Sequence, residues 1–324
     1  MEKYLIVKGC AGLGNRLYTL SNAINYARKT NRTLIVDWKD GQFSEENTNA
    51  FNYFFKLKGV KHINDINQIK DKESKSIYPT VWNNILDTNL YDNFEQDSLS
   101  IFSFIPARAS KLFPRLSMTH GYFRHKKNKN KSSLFNFINK NNFIQSQYLP
   151  KNIKEDIIVF VDFSPKYYKN IIRENIQLTK DVQKKINDFV IKNNLNQNSI
   201  AVHIRYTDKK PDATFEKLYK SIEMLNPNDK TIFLSTDNLA IQKMFINKYH
   251  SVVTTTKYLP EESKEGLHQW ALYNNKEDKK KKMFEESIID MWLLSKCEHL
   301  IYQKNSSFSQ ISRILKNDIN CTPW

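Results

Sequence analysis

Residues 5–16, which read LIVKGCAGLGNR, decide the fold because they lead from an apolar run through closely spaced glycines into a helix. The apolar start predicts a short strand, and the glycines permit a tight turn. From 15 to about 29, apolar residues recur every three or four positions, which predicts one buried helix face. Residues 33–36 then predict a second strand. This βαβ unit indicates a parallel sheet.

The same alternation returns near residue 155. Strands are predicted at 157–161, 200–204, 231–234, 252–255 and 299–302, and helices at 180–192, 238–248, 285–295 and 307–315. The stretch from about 40 to 150 is rich in aromatic residues, Asn, Lys and Ser, and it predicts short helices and long loops. We therefore predict an α/β protein with an N-terminal domain over 1–155 and a C-terminal domain over 156–324.

Composition indicates a globular protein with an anionic partner. The 324 residues are 40% hydrophobic, and 50 Lys and Arg against 34 Asp and Glu give a net charge of +16. Nucleotides, nucleic acids and lipid surfaces all fit this charge. The basic residues are dispersed and no recognition motif is present, so nucleic acid is not expected. The lysine-rich runs at 126–131 and 279–282 predict solvated loops, with peripheral contact to an anionic membrane as the alternative.

Cysteine usage and hydropathy predict a cytoplasmic location. Cys10, Cys297 and Cys321 are far apart and show no CxxC spacing, so neither a disulfide framework nor a zinc site is expected. The apolar run at 4–7 is too short for a signal peptide, and no stretch approaches the ~18 apolar residues of a membrane span.

The glycine turn is the first candidate site. Gly12, Gly14, Asn15 and Arg16 open the first predicted helix, whose free amides and positive dipole end suit a phosphate. The spacing is neither GxGxxG nor that of a P-loop. A plain tight turn is the alternative.

His203 and Arg205 lie at the carboxyl end of a predicted strand, where ligands bind in open α/β sheets. Alternation places both side chains on one face of the strand. Arg205 could hold a diphosphate through paired hydrogen bonds. An ion pair between Arg205 and Asp208 explains the pattern equally well.

Three weaker signals complete the candidate site. Thr236 and Asp237 follow a strand and could contact phosphate or ribose, or simply precede a helix as capping residues. Asp290 is an acid within an apolar helix, where it either meets a ligand or forms an internal salt bridge. Ser306 and Ser307 begin a helix and could bind phosphate or cap it. Each signal has a structural explanation, and only their shared position at the carboxyl ends of successive predicted strands favours one ligand site.

These segments, in this order, resemble the α-1,6-fucosyltransferases of glycosyltransferase family 23, and the nodulation enzymes among them in particular. The resemblance lies in residues 12–17, 26–38, 48–51, 203–209, 233–237, 289–295 and 306–307. It covers both ends of the chain and most of the sequence beyond position 195, and it is poor from about 60 to 150.

The resemblance implies a GT-B-like fold in which two Rossmann-like domains face a cleft, with the acceptor on the N-terminal side. It implies inverting transfer of fucose from GDP-fucose to a glycan or lipid-linked glycan hydroxyl, without a metal or other cofactor. His203 and Arg205 would bind the donor, with Arg205 on the β-phosphate. Asp290 would contact the guanine side, and Ser306 and Ser307 the phosphates.

The sequence departs from the family at two places. Tyr206 stands where a second basic residue is usual, and Ala213 stands at the position of the acidic residue that the animal enzyme of the family uses as its base. Its neighbour Asp212 is therefore the predicted general base. The alternatives are transfer of another GDP-linked deoxysugar or heptose in bacterial capsule, lipopolysaccharide or O-antigen assembly, and a non-catalytic nucleotide-sugar or nucleic-acid binder.

Overall fold

The computed structural model describes residues 2–45, 48–97, 122–125, 153–162, 167–195, 198–208, 210–259 and 277–324. The lysine-rich run at 126–131 lies outside these described residues. Two parallel five-stranded sheets dominate the structure, and each is covered by helices.

The first sheet grows from the βαβ unit at the start of the sequence. Its elements are β1 (Tyr4–Lys8), α1 (Leu13–Thr30), β2 (Thr33–Asp37), α2 (Ala50–Phe54), β3 (Phe55–Leu57), β4 (His62–Ile63), β5 (Ile77–Tyr78), α3 (Leu90–Asn93), β6 (Phe94–Asp97), β7 (Tyr122–His125), β8 (Ile157–Phe160), α4 (Lys169–Asn175) and β9 (Ile176–Leu178). Five strands form the parallel order β4-β2-β1-β8-β5, while β3 pairs with β9 and β6 with β7.

Burial explains why β1, β2 and β8 occupy the centre of this sheet. Every residue of the three strands is buried, as expected for parallel strands covered on both faces. Helix α1 ends at Asn31, whose φ of 51° lies in the left-handed region that Asn tolerates. The backbone N–H of Asn31 donates to the last carbonyl groups of α1 and turns the chain into β2.

The second sheet is built from the alternating elements that the sequence predicts after residue 180. They are α5 (Lys180–Lys192), β10 (Ser199–Ile204), α6 (Phe215–Glu223), β11 (Thr231–Thr236), α7 (Leu239–Lys248), β12 (Val252–Val253), α8 (Glu277–Leu294), β13 (His299–Tyr302), α9 (Ser307–Leu315) and β14 (Cys321–Pro323). The parallel order is β12-β11-β10-β13-β14. The strands β11 and β12 are added on one side of β10, whereas β13 and β14 lie on its other side. Such a switch point in the strand order leaves a crevice for a ligand at the carboxyl ends of the strands.

The structure corrects the predicted domain boundary at 155/156. Strand β8 follows that boundary but pairs with β1 of the first sheet, with Tyr4 opposite Ile157. Strand β9 also belongs with the N-terminal part, because it pairs with β3. The second domain therefore begins with α5 at Lys180, well after the predicted boundary.

The lysine run at 279–282 is also corrected from loop to helix. Helix α8 begins at Glu277 and not near 285, so all four lysines belong to it. Lys280 is buried, and the ammonium of Lys281 lies 3.6 Å from the ring centroid of Tyr53. Packing of this kind replaces the solvated loop that charge alone predicts.

Helices α1 and α9 join the two domains at their N-terminal ends. Both belong to one hydrophobic cluster with α8, which includes Leu17, Met291 and Ile311. A methyl group on Gly14 would lie 2.6 Å from the carbonyl carbon of Ser307. Glycine at 14 is therefore required by the close approach of the two helix starts.

We expect Gly14→Ala to lower the free energy of unfolding by roughly 1–3 kcal/mol, because the added methyl overlaps the backbone of Ser307. Helix propensity alone would favour alanine by about 1 kcal/mol. Urea denaturation measures the sign. Asn22→Ala, at a half-buried position of the same helix, is the control that should not destabilise. Equal stability of the Gly14→Ala and wild-type proteins would contradict the close approach.

Candidate functional site

A cleft opens where the carboxyl ends of the two sheets face each other. It encloses about 860 Å³ of space, which includes its open mouth. The lining residues are Gly12, Leu13, Gly14, Phe43, His203, Arg205, Ser235, Thr236, Asp237, Lys257, Tyr258, Met283, Phe284, Glu286, Ser287, Asp290, Ser307 and Phe308. Eight of the twelve predicted site residues are among them.

Two helix N-termini converge on this cleft from opposite domains. Gly12 to Gly14 begin α1, and Ser307 and Phe308 begin α9. Neither N-cap residue, Gly12 or Ser306, uses a side chain to cap its helix, and neither first turn contains an acid. Free amides and two positive dipole ends therefore meet at one place, which suits a phosphate group.

Arg205 lies beside these helix ends and is held by its own loop. Its Nε donates to Oδ1 of Asp208 at 2.7 Å, and its Nη2 also pairs with that carboxylate. Its backbone N–H donates to the buried side chain of Gln303, beyond β13. The ion-pair alternative is therefore present, yet Nη1 bonds to none of the described residues and the side chain lines the cleft. Asp208 and Gln303 orient Arg205 without using all its donors.

His203 is neutral at physiological pH. Complete burial lowers its pKa to about 3, and the charges of Arg205 and Lys257 act in the same direction. The imidazole stacks on Phe308 with ring centroids 5.0 Å apart. Its Nδ1 is buried and bonds to none of the described residues. A neutral, oriented imidazole in the cleft wall can donate one hydrogen bond to a ligand or accept one from it.

Asp237 joins the loops that follow β10 and β11. Its carboxylate accepts from the backbone N–H of Tyr206 at 2.7 Å and from the hydroxyl of Thr207 at 2.6 Å. Burial raises the pKa of Asp237. The capping role belongs instead to Asn238, whose side chain accepts from the backbone of Ile241. Both carboxylate oxygens of Asp237 therefore accept hydrogen bonds from the protein, and the residue fixes the shape of the cleft edge.

Asp290 forms the internal salt bridge that the sequence allowed, and it also lines the cleft. Its partner is Lys257, and the side chains of both residues are almost completely buried. Ser235 and Thr255 donate to the same carboxylate at 2.8 and 2.5 Å. This buried polar cluster forms a second end of the cleft, chemically different from the helix starts.

Four predicted residues do not line the cleft. Arg16 is completely buried, pairs with Asp40 and donates to the carbonyl oxygen of Ala11, so it supports the glycine turn from behind and is corrected to a structural role. Asn15 is half-buried outside the lining. Asp212 is exposed on the loop between β10 and α6. Ser306 is buried behind the start of α9.

Ten lining residues are absent from the sequence prediction, and four of them contribute charge or an interdomain contact. Lys257 follows the predicted strand at 252–255, and that position was the available signal. Glu286 lies one turn before Asp290 on α8, a helical spacing that could have indicated it. Phe43 and Phe284 stack at 3.9 Å between the domains, and nothing local predicts that contact.

The remaining site predictions concern metal, cysteine and membrane chemistry. Within the described ranges, no three His, Cys, Asp or Glu side chains are grouped to hold a metal, and metal independence stays a prediction. All three cysteines are free thiols. Of the helices in the described part of the chain, none is both long and apolar enough to cross a membrane.

Two parallel sheets that share a cleft at their switch points define the GT-B-like class of fold, as predicted. Solved structures confirm it. NodZ α-1,6-fucosyltransferase soaked with GDP-fucose matches 97% of this chain and 93% of its own, with a TM-score of 0.63 and 19% identity. POFUT1 in complex with GDP matches with a TM-score of 0.50 and 11% identity, covering 100% of this chain and 99% of its own.

Within that class, residues 1–99 match the family described as Nodulation protein Z (NodZ). Nodulation protein Z of Bradyrhizobium diazoefficiens is 30% identical over 89 residues, which are 25% of this chain and 24% of the relative. Its counterpart in Sinorhizobium fredii is 33% identical over 87 residues, 25% of this chain and 27% of the relative. The aligned segment thus spans about a quarter of these relatives, and the predicted resemblance to NodZ is confirmed there.

We expect the free energy of unfolding to fall as pH drops below 6.5. The pKa of His203 is 6.5 in the unfolded chain and about 3 in the folded protein, so between these values the unfolded state binds a proton that the folded state does not. Between pH 6.5 and 5 this group contributes about 2 kcal/mol of the loss. Urea denaturation at several pH values measures it. His203→Gln should flatten the slope, whereas His250→Gln, at an exposed position, should not. Identical slopes in the two variants would contradict the buried neutral state.

Proposed function

We propose that this chain is an inverting, metal-independent glycosyltransferase that moves fucose from GDP-fucose to a glycan acceptor hydroxyl. The observation that carries the proposal is the meeting of two uncapped helix starts with Arg205 in one interdomain cleft. This arrangement offers fixed positive ends and N–H donors to a diphosphate. The ligands named in the NodZ and POFUT1 structures, GDP-fucose and GDP, support the choice of nucleotide.

The reaction requires the bond between the sugar carbon C1 and the β-phosphate oxygen to break while the acceptor oxygen attacks from the opposite face. Negative charge then develops on the departing GDP. The amides at the two helix starts, with the guanidinium of Arg205, would stabilise this charge, and Gly14, Ser307 and Arg205 all line the cleft. Arg205 is already fixed by Asp208 and Gln303, so little reorganisation is needed in the transition state.

The acceptor proton needs a base, and two carboxylates compete for the role. Asp212 is the base expected from the family resemblance. Glu286 lines the cleft, where burial raises its pKa against the opposing charges of Lys282 and Lys257. Its carboxylate bonds to none of the described residues, unlike those of Asp237 and Asp290. We favour Glu286 because it lines the cleft and because a carboxylate whose pKa is raised is a stronger base.

We also propose an acceptor side and a cellular setting. The N-terminal domain would hold the acceptor, because its Phe43 and glycine turn form the wall opposite the second sheet. A lipid-linked glycan fits a cytoplasmic enzyme at an anionic membrane face. The alternative is another GDP-linked deoxysugar or heptose in the same cleft.

We expect Arg205→Ala to reduce kcat for fucosyl transfer about 10²- to 10³-fold, because one fixed donor to the developing phosphate charge is lost. Arg173→Ala, which lies outside the cleft, is the matched control and should retain full turnover. A loss of no more than a few-fold in Arg205→Ala would remove this arginine from the catalytic step.

We expect Glu286→Gln to lower kcat at least 10²-fold while GDP affinity changes little, because only proton removal is lost. Asp212→Asn should remain within a few-fold of wild type. Initial rates with GDP-fucose and a glycan acceptor, together with GDP titrations, make the comparison. The reverse result would restore Asp212 as the base.

A thermal-shift series with GDP, GDP-fucose, GDP-mannose and UDP tests the donor itself. Stabilisation by GDP and GDP-fucose is expected, followed by slow hydrolysis of GDP-fucose. Stabilisation by UDP alone would overturn the donor, and binding without turnover would favour the non-catalytic alternative.

A further inference from the structure

The backbone pairing between β10 and β13 ends before β10 reaches the cleft. The last paired residues are Val202 and Ile301. His203 and Arg205, which line the cleft, follow that point in the chain. In a parallel ladder, the carbonyl group of one residue and the N–H of the residue two positions later point towards the same neighbouring strand. The carbonyl of His203 and the N–H of Arg205 therefore both face the β13 side, where the ladder has ended.

Two side chains continue the ladder at this place. The indole N–H of Trp324 donates to the carbonyl oxygen of His203 at 3.2 Å. The side-chain oxygen of Gln303, the residue after β13, accepts from the backbone N–H of Arg205 at 2.7 Å. Together they supply the one donor and the one acceptor that a longer β13 would have supplied. The peptide groups on either side of Ile204 are thereby fixed without a neighbouring strand.

Trp324 is itself held in place by the backbone and by packing. Its backbone N–H donates to the carbonyl oxygen of Tyr302, the last residue of β13, at 3.0 Å. Its ring centroid lies 5.9 Å from that of Phe215 on α6, and only 3% of Trp324 is exposed. Because a buried side chain packed in this way has little freedom to change rotamer, its N–H stays directed at His203.

The other edge of the strand end is held by a side chain as well. Strand β11 is paired with β10 as far as Thr236, which lies opposite Ile204. The carboxylate of Asp237 then accepts from the backbone N–H of Tyr206. The short segment that carries Arg205 is therefore bonded on both edges by side chains that belong to the ends of neighbouring strands.

We propose that Trp324 is a positioning residue for Arg205, whose role at the phosphate end of the cleft rests on the proposed function. The indole N–H fixes the peptide group that follows His203, and this peptide sets the direction in which the Arg205 side chain leaves the strand. Without that donor, the buried carbonyl of His203 loses its partner and the peptide turns to find another. The guanidinium is then displaced, and stabilisation by a preorganised donor is sensitive to small displacements.

Trp324→Phe removes the indole N–H and keeps an aromatic ring beside Phe215. We expect kcat for fucosyl transfer to fall about 5- to 20-fold and the affinity for GDP to fall about three- to tenfold, because the arginine is no longer held in place. Initial rates and isothermal titration calorimetry supply the two values. Trp82→Phe is the matched control, since Trp82 is completely buried in the first domain and its indole N–H bonds to none of the described residues. It should retain wild-type kcat and GDP affinity.

A double-mutant cycle with Arg205→Ala separates positioning from a general loss of structure. In a protein that already lacks the guanidinium, Trp324→Phe should change kcat and GDP affinity by less than about twofold. An equal loss in both backgrounds would mean that Trp324 acts independently of Arg205, and it would overturn the positioning role.

A second replacement keeps the test valid if Trp324→Phe is poorly folded in urea denaturation. Benzothienylalanine at position 324 has sulfur in place of the indole N–H and preserves the two-ring shape. It should lower kcat and GDP affinity in the same way, again only when Arg205 is present. Wild-type values for this analogue would overturn the positioning role and leave the proposed function standing.

The affinity measurements distinguish a failure of this inference from a failure of the proposed function. A protein that transfers no fucose, but in which loss of the indole N–H weakens GDP binding only when Arg205 is present, would support the positioning role while the proposed function fails.

Discussion

The close approach of Gly14 to Ser307 is the constraint on which the rest of the structure depends. It brings the first turns of α1 and α9 together, although each helix follows a different sheet. Since each turn has unsatisfied amides, their meeting concentrates N–H donors that neither domain could supply alone. The shared hydrophobic cluster below, with α8 between the sheets, holds the two helix starts in place.

Electrostatic balance within the cleft differs from that of the whole chain. The chain has a net charge of +16, yet Arg205 and Lys257 are each paired with a carboxylate. Their attraction for a ligand therefore comes from orientation and unused donors more than from net charge. Pairing also avoids the energetic cost of two cations without a counter-charge. The overall charge thus says little about how the cleft selects its ligand.

Local periodicity predicted the elements well because burial on one face leaves a direct mark on the sequence. Helix α5, strand β13 and helix α9 begin and end as predicted. The boundary at 155/156 failed for a different reason. The apolar run of β8 shows that it is buried but not which sheet it joins, and its pairing with β1 brings Ile157 beside Tyr4. The lysines at 279–282 were predicted to form a loop because of their charge, but they belong to a helix that packs against the rest of the protein.

The sequence by itself determined the two α/β units, the glycine turn and the polar residues that follow β10 and β11. These features depend on neighbouring residues and on spacing along one element. Only the tertiary structure decided which polar residues act together. In the folded protein Arg16 lies behind the glycine turn and Lys257 pairs with Asp290. Asp212 lies outside the cleft. Those contacts join residues far apart in the chain, and their geometry is set by how the two sheets pack.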